Sequence, residues 1–191
     1  MNSNSLVRTG ALVAPVLLFG YGTLRLIDRA DGRMDKGAWM WNTGHVLFFI
    51  AMVLLAALAI GARTRLPFHD FRNRVAANLA VVATSVGVLA FLWVIAGDLS
   101  PSLRETAPLP DALAIAGNAA FMLGLLTLLV QLVRAQKLPA WSPVAVLFAF
   151  LMIAVSLDTI PVAAILLFVG LLPLSGGRAP LSGSGPRLAH D

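Results

Sequence analysis

An all-α, polytopic integral membrane helical bundle is the fold class this sequence predicts, on three observations. Of 191 residues, 59% are hydrophobic and only 12% are charged, about half the ~25% charged share of an ordinary soluble domain; the mean hydropathy is +0.86. The apolar residues come in unbroken runs near the ~20 residues that cross a hydrocarbon layer ~30 Å thick. Lys and Arg gather at the ends of those runs, as positive-inside placement requires.

The same bulk properties exclude several function classes. A net charge of +5 and a pI near 11.1 would point to nucleic acid in a soluble protein, but the position of the bases at helix ends accounts for them, so membrane lipids and not nucleic acid are the expected partners. With no cysteine there is no disulfide, thiolate metal site or thiol nucleophile. HExxH, GxSxG, phosphate-loop and CxxC motifs are all missing from the sequence, which leaves the common protease, hydrolase, nucleotide-driven and thiol-redox signatures unfilled.

The first helix is predicted over residues 6–27 and is read as retained, because no small-x-small cleavage site follows it. Pro15 lies inside it, and Gly20 and Gly22 flank Tyr21. The next connection, from Arg25 to Lys36, mixes Arg25, Arg29, Arg33 and Lys36 with Asp28, Asp31 and Asp35 and is nearly neutral. Trp39 and Trp41 then open the second helix at a headgroup-like level, with Asn42, Thr43 and His45 just inside, an uncharged run over 46–62, and Arg63 and Arg65 at its exit. Arg72 and Arg74 complete a strongly basic connection. They read as topology signals and as contacts for anionic lipid, with His69 and Asp70 adding a pH-sensitive group.

The third helix is predicted over 75–96, with Asn78, Thr84, Ser85 and Gly87 as contact-forming residues. The 98–111 connection carries Asp98, Arg104, Glu105 and three prolines. The fourth helix is predicted over 112–133, capped by Asp111, with Ala112, Ala116, Ala120, Gly117 and Gly124 offering a smooth packing face. The last apolar stretch, 143–174, is too long for one span. Ser156, Asp158, Thr159 and Pro161 divide it into two short helices, with Asp158 as a cap for the second. The prediction is about six spans, the last two short, with five as the alternative. One domain covers 1–174, and the Gly/Ser/Pro-rich segment 175–191 is a flexible tail.

Alternate connections fix the orientation. Arg8, Arg63, Arg65, Arg72, Arg74, Arg134, Lys137, Arg178 and Arg187 fall on one side, nine in all, against Arg25, Arg29, Arg33, Lys36 and Arg104, five, on the other. A multi-pass protein of the cell membrane with both termini cytoplasmic follows. With five spans the tail would lie outside.

Depth brings the polar residues together. His45 lies ~6 Å inside Trp41, Asn118 ~10 Å inside Asp111, and Asp158 near the same level, where Arg25 and Asp98 end their own segments. Arg25, His45, Asp98, Asn118 and Asp158 are therefore the candidate binding residues, and Asp158 with Arg25 or His45 is the expected ion pair. Each also has a structural reading: Asp158 as a helix cap, His45 bonded to a backbone carbonyl, Arg25 reaching the headgroups, Asn118 joining two helices. His45 and His69 stand ~36 Å apart along a helical path, too far to share a haem. No metal or cofactor is expected.

Three functions fit this layout: a non-enzymatic accessory or small-molecule-binding component with a polar pocket near the outer leaflet; an enzyme moving a proton with Asp158 or His45 on a lipid-like or isoprenoid substrate; or a small transporter or proton-coupled carrier with a polar path through Thr84 and Ser85. A small apolar or amphipathic ligand and a membrane-protein partner or second copy of the chain are the partners such a bundle accepts. The sequence leaves open whether the protein is an enzyme.

Overall fold

The computed structural model describes residues 3–30, 37–67 and 70–176. Every regular element among them is helical: α1 Ser3–Asp28, α2 Trp39–Thr64, α3 Phe71–Leu99, the short α4 Pro101–Thr106, α5 Asp111–Arg134, α6 Trp141–Val155 and α7 Ile160–Leu171, the last flanked by 3-10 turns Leu157–Thr159 and Leu172–Leu174. Five segments are long and apolar enough to cross a membrane: α1, α2, α3, α5, and α7 with its flanking turns. The sixth apolar helix, α6, has 15 residues, ~22 Å of helix, short of the ~30 Å core. The protein is a multi-pass membrane helical bundle.

The six apolar helices form a ring in chain order. α1 packs on α2, α2 on α3, α3 on α5, α6 on α7, and α7 returns to α1; the α5–α6 seam is the sparsest. The long helices are knitted where side chains are smallest. A Cβ on Gly87 of α3 would stand 2.5 Å from the Gly117 carbonyl and Phe121 of α5, and one on Gly124 would stand 2.5 Å from the Ala80 carbonyl and the Thr84 hydroxyl. In lipid, where apolar burial gives no net drive between helices, such close backbone approach supplies the packing. The glycine half of the smooth face predicted for α5 meets α3, whereas Ala112 and Ala116 are exposed on the opposite side.

A file of rings runs across the core from α2 to α6. Trp41, His45, Tyr21, Phe48, Phe91, Phe121 and Phe150 follow one another with centroid spacings between 4.2 and 5.8 Å, most of them edge to face. Met52, Leu55, Leu125, Leu128 and Leu167 fill the surrounding interior.

Local chemistry differs from expectation at three helix ends. α3 begins at Phe71, earlier than predicted, because Asp70 caps it by accepting from the Arg72 N–H at 3.2 Å. Asp111 does not cap α5. Pro110 holds that position, and Asp111 is the first helical residue, where its charge still favours the positive end of the dipole. Asp158 does not cap α7 either. Ser156, extended at φ −155°, accepts from the Asp158 N–H at 3.2 Å, and the Thr159 hydroxyl donates to the Met152 carbonyl at 2.8 Å, so the turn satisfies the end of α6 from within. The short α4 was not predicted. The tail expected to be flexible lies, from residue 177 on, outside the described residues, as do His69 and residues 31–36 of the first connection.

The end of the bundle that carries Arg63, Arg65, Arg134 and Lys137 is tied together by Arg65. Its Nε donates to the Asn4 side-chain oxygen of α1 at 3.2 Å, its Nη1 donates to the Leu174 carbonyl beyond α7 at 2.9 Å, and its own carbonyl accepts from Lys137 Nζ. Arg63 Nε donates to Asn78 of α3 at 2.8 Å. These bases therefore join helices.

Two stability outcomes follow. Gly124→Ala should lower the stability of the protein in mild detergent by about 1–3 kcal/mol, the usual overpacking range, whereas Gly97→Ala, whose added Cβ meets nothing closer than 3.8 Å, should leave the melting temperature unchanged; equal melting of both variants would remove the close-contact argument. Arg65→Ala and Arg65→Lys should both destabilise by roughly 1–2 kcal/mol, since a lysine cannot donate to two separated acceptors as the guanidinium fork does. Full stability in Arg65→Lys would mean that charge alone matters there.

Candidate functional site

The polar layer assembles at the other end, where α1 finishes, α2 begins, α3 finishes and the α6–α7 turn lies. Trp41 and His45 are one helical turn apart, so both face inward from α2, and each is buried, at 8% and 3% exposure. Gly44 between them gives room to the Tyr21 ring of α1, which meets the imidazole edge to face.

His45 is held from both sides. Its Nδ1 is 2.8 Å from the Trp41 carbonyl and its Nε2 is 3.3 Å from Asp98 Oδ2 of α3. The Trp41 carbonyl is an acceptor, so Nδ1 carries the proton that it donates there, and Nε2 is turned toward the Asp98 carboxyl group. The other carboxylate oxygen of Asp98 pairs with Arg104 of α4, and the Trp41 indole N–H donates to the Asp98 carbonyl at 3.1 Å. α4 is folded back over the last turn of α3 by these contacts and by the Trp93 N–H, which donates to the Ala107 carbonyl at 3.0 Å. One chain of polar contacts thus joins α2, α3 and α4.

Arg25 approaches the same place from α1. Its guanidinium is within electrostatic reach of the Tyr21 hydroxyl and of His45, and its Nε is buried with no hydrogen-bond partner among the described residues. Arg25, Tyr21, Trp41 and His45, with Asp28 and Met40, border a cleft of ≈ 10 Å³, room for the centre of about one water or one ligand oxygen.

Of the five residues expected to share a site, Arg25, His45 and Asp98 come together and two do not. Asp158 stands on the rim, where both carboxylate oxygens lie 3.0 Å from Arg29 Nη1; the pairing expected with Arg25 or His45 is replaced because Arg29, one turn beyond Arg25, is the base that reaches the α6–α7 turn. Asn118 is exposed on α5, turned away from the layer. The residues that sequence reasoning left out are Arg104 and Arg29. Arg104 was visible only as the lone base of an acidic connection, and nothing local shows that α4 folds back.

Asn42 belongs to the helix start, donating to the Gly37 carbonyl at 3.0 Å. Thr84 is fully buried, donates to the Ala80 carbonyl of its own helix at 2.8 Å and is pressed against Gly124. Among the described residues no three His, Asp or Glu side chains are placed to hold a metal ion.

The two carboxylates should respond differently to removal. Asp98→Ala strips both His45 and Arg104 of a partner and should destabilise the protein by about 1–3 kcal/mol, with faster hydrogen exchange in α4. Asp158→Ala breaks a pair whose side chains are 43% and 51% exposed and should change stability by less than about 1 kcal/mol. A larger loss from Asp158→Ala than from Asp98→Ala would contradict this ranking.

No protein-family model, curated protein or solved structure matches the chain.

Proposed function

We propose that this protein is a non-enzymatic accessory component of the cell membrane that binds the anionic head of a small amphipathic molecule where Arg25, Tyr21 and His45 meet. The observation that carries this reading is the buried, unpartnered Nε of Arg25 at the edge of a cleft. An unsatisfied buried donor is unfavourable by about 1–3 kcal/mol, and a carboxylate or phosphate oxygen in the cleft satisfies it. The small cleft suits one polar group of the ligand, with the apolar remainder left in lipid. The ion pair to Arg104 and the indole bond to the Asp98 backbone hold that wall in place. The clustering of Arg63, Arg65, Arg72, Arg74, Arg134 and Lys137 at the opposite end supports cytoplasmic termini and a site facing the outer leaflet.

The contact between His45 and Asp98 favours a second reading, a membrane enzyme that moves a proton on a lipid-like substrate. It has less support, since Asp158 is engaged with Arg29 at the surface and the cleft is too small to enclose a substrate. The carrier reading is the weakest, given the closed packing at Thr84.

Dodecyl phosphate and laurate, added to the protein in a neutral detergent, test the proposal. Both should raise the melting temperature of the wild type, and Arg25→Gln should weaken the apparent affinity roughly 10- to 100-fold, the equivalent of one charge-assisted hydrogen bond. Equal stabilisation of wild type and Arg25→Gln would overturn it.

A further inference from the structure

At the basic end, a second cleft of ≈ 220 Å³ opens between the start of α3 and the end of α5. Leu66 and Ala135 give it apolar walls, and Asp70, Asn73, Gln131 and Arg134 give it polar ones. The donors there differ from the other polar groups of this end. Arg63 is bound to Asn78, Arg65 to Asn4 and Leu174, Lys137 to the Arg65 carbonyl, and Arg74 lies over the Phe71 ring. The side chains of Asn73, Gln131 and Arg134 have no hydrogen-bond or ion-pair partner among the described residues, and all three border the one cleft.

We infer that this cleft binds the glycerol-type phosphodiester headgroup of an anionic membrane lipid. A guanidinium fork with two amide groups is a donor set matched to phosphate oxygens. Asp70 would repel a bare phosphate, but a headgroup that also carries hydroxyls turns it into an acceptor; one of its oxygens already caps α3, and the other is left for a hydroxyl. The place suits a lipid. Arg134 is the last residue of the membrane-crossing α5, at headgroup depth, and Val130, one turn inward, is exposed where an acyl chain would run. Basic side chains at this level attract anionic headgroups and fall silent within a Debye length. The cleft is separate from the Arg25 site and does not depend on it.

Native mass spectrometry of the full chain tests this, with phosphatidylglycerol and phosphatidylcholine offered together. The wild type should retain one phosphatidylglycerol in preference to phosphatidylcholine. Arg134→Gln and, independently, Asn73→Leu should each reduce that preference roughly fivefold, the effect of about one cationic or polar contact at the surface. Arg72→Gln, outside the cleft, and Arg25→Gln, at the opposite end, should leave it unchanged. An undiminished preference in both cleft variants would overturn the proposal. So would protection of the protein against heating by inorganic phosphate as strong as that given by phosphatidylglycerol, since the site would then take free phosphate rather than a lipid.

Discussion

The bundle depends on the contact by which its last helix closes on its first. A Cβ on Gly22 of α1 would stand 2.7 Å from the Ile160 side chain and 2.8 Å from the Pro161 ring, so any larger residue would push α7 off α1. The contact is possible because the turn at Ser156 to Thr159 reverses the chain with its backbone groups satisfied internally, a condition hydrocarbon imposes on any reversal at membrane depth. Once α7 lies on α1, Asp158 falls beside Arg29 at one end and the Leu174 carbonyl beside Arg65 at the other. Ring closure thus sets both ends together.

The two ends then have contrasting chemistry from one architecture. At the basic end, cations reach across helices to carbonyls and amides, Arg63 holding α3 and Arg65 holding α1, the turn after α7 and the connection after α5. At the other end the ties run through a histidine, a carboxylate and an indole N–H.

The six apolar helices were legible, though α4 was not, because bilayer thickness imposes a length on every span and the basic residues mark several of their ends. That Arg25, His45 and Asp98 end near one another was legible for the same reason: counting residues inward from Trp41 or Asp98 gives depth. Azimuth was not. Asn118 lies one residue, ~100° of helix, from Gly117, and the choice of the Gly117, Phe121 and Gly124 face for α3 carries Asn118 outward. Arg25 and Arg29 are one turn apart on the same side of α1, so depth could not tell which would meet Asp158. The partnership of Asp98 with Arg104 requires α4 to double back over α3, a tertiary event with no local signature beyond Pro101.

The file of rings from Trp41 to Phe150 bears on how such a bundle can move. Edge-to-face rings lose contact if one helix slides past another by a fraction of a ring width, and this file links α1, α2, α3, α5 and α6 in succession. Shear between those helices is resisted at the middle of the bundle, and the interior behaves as a stiff waist.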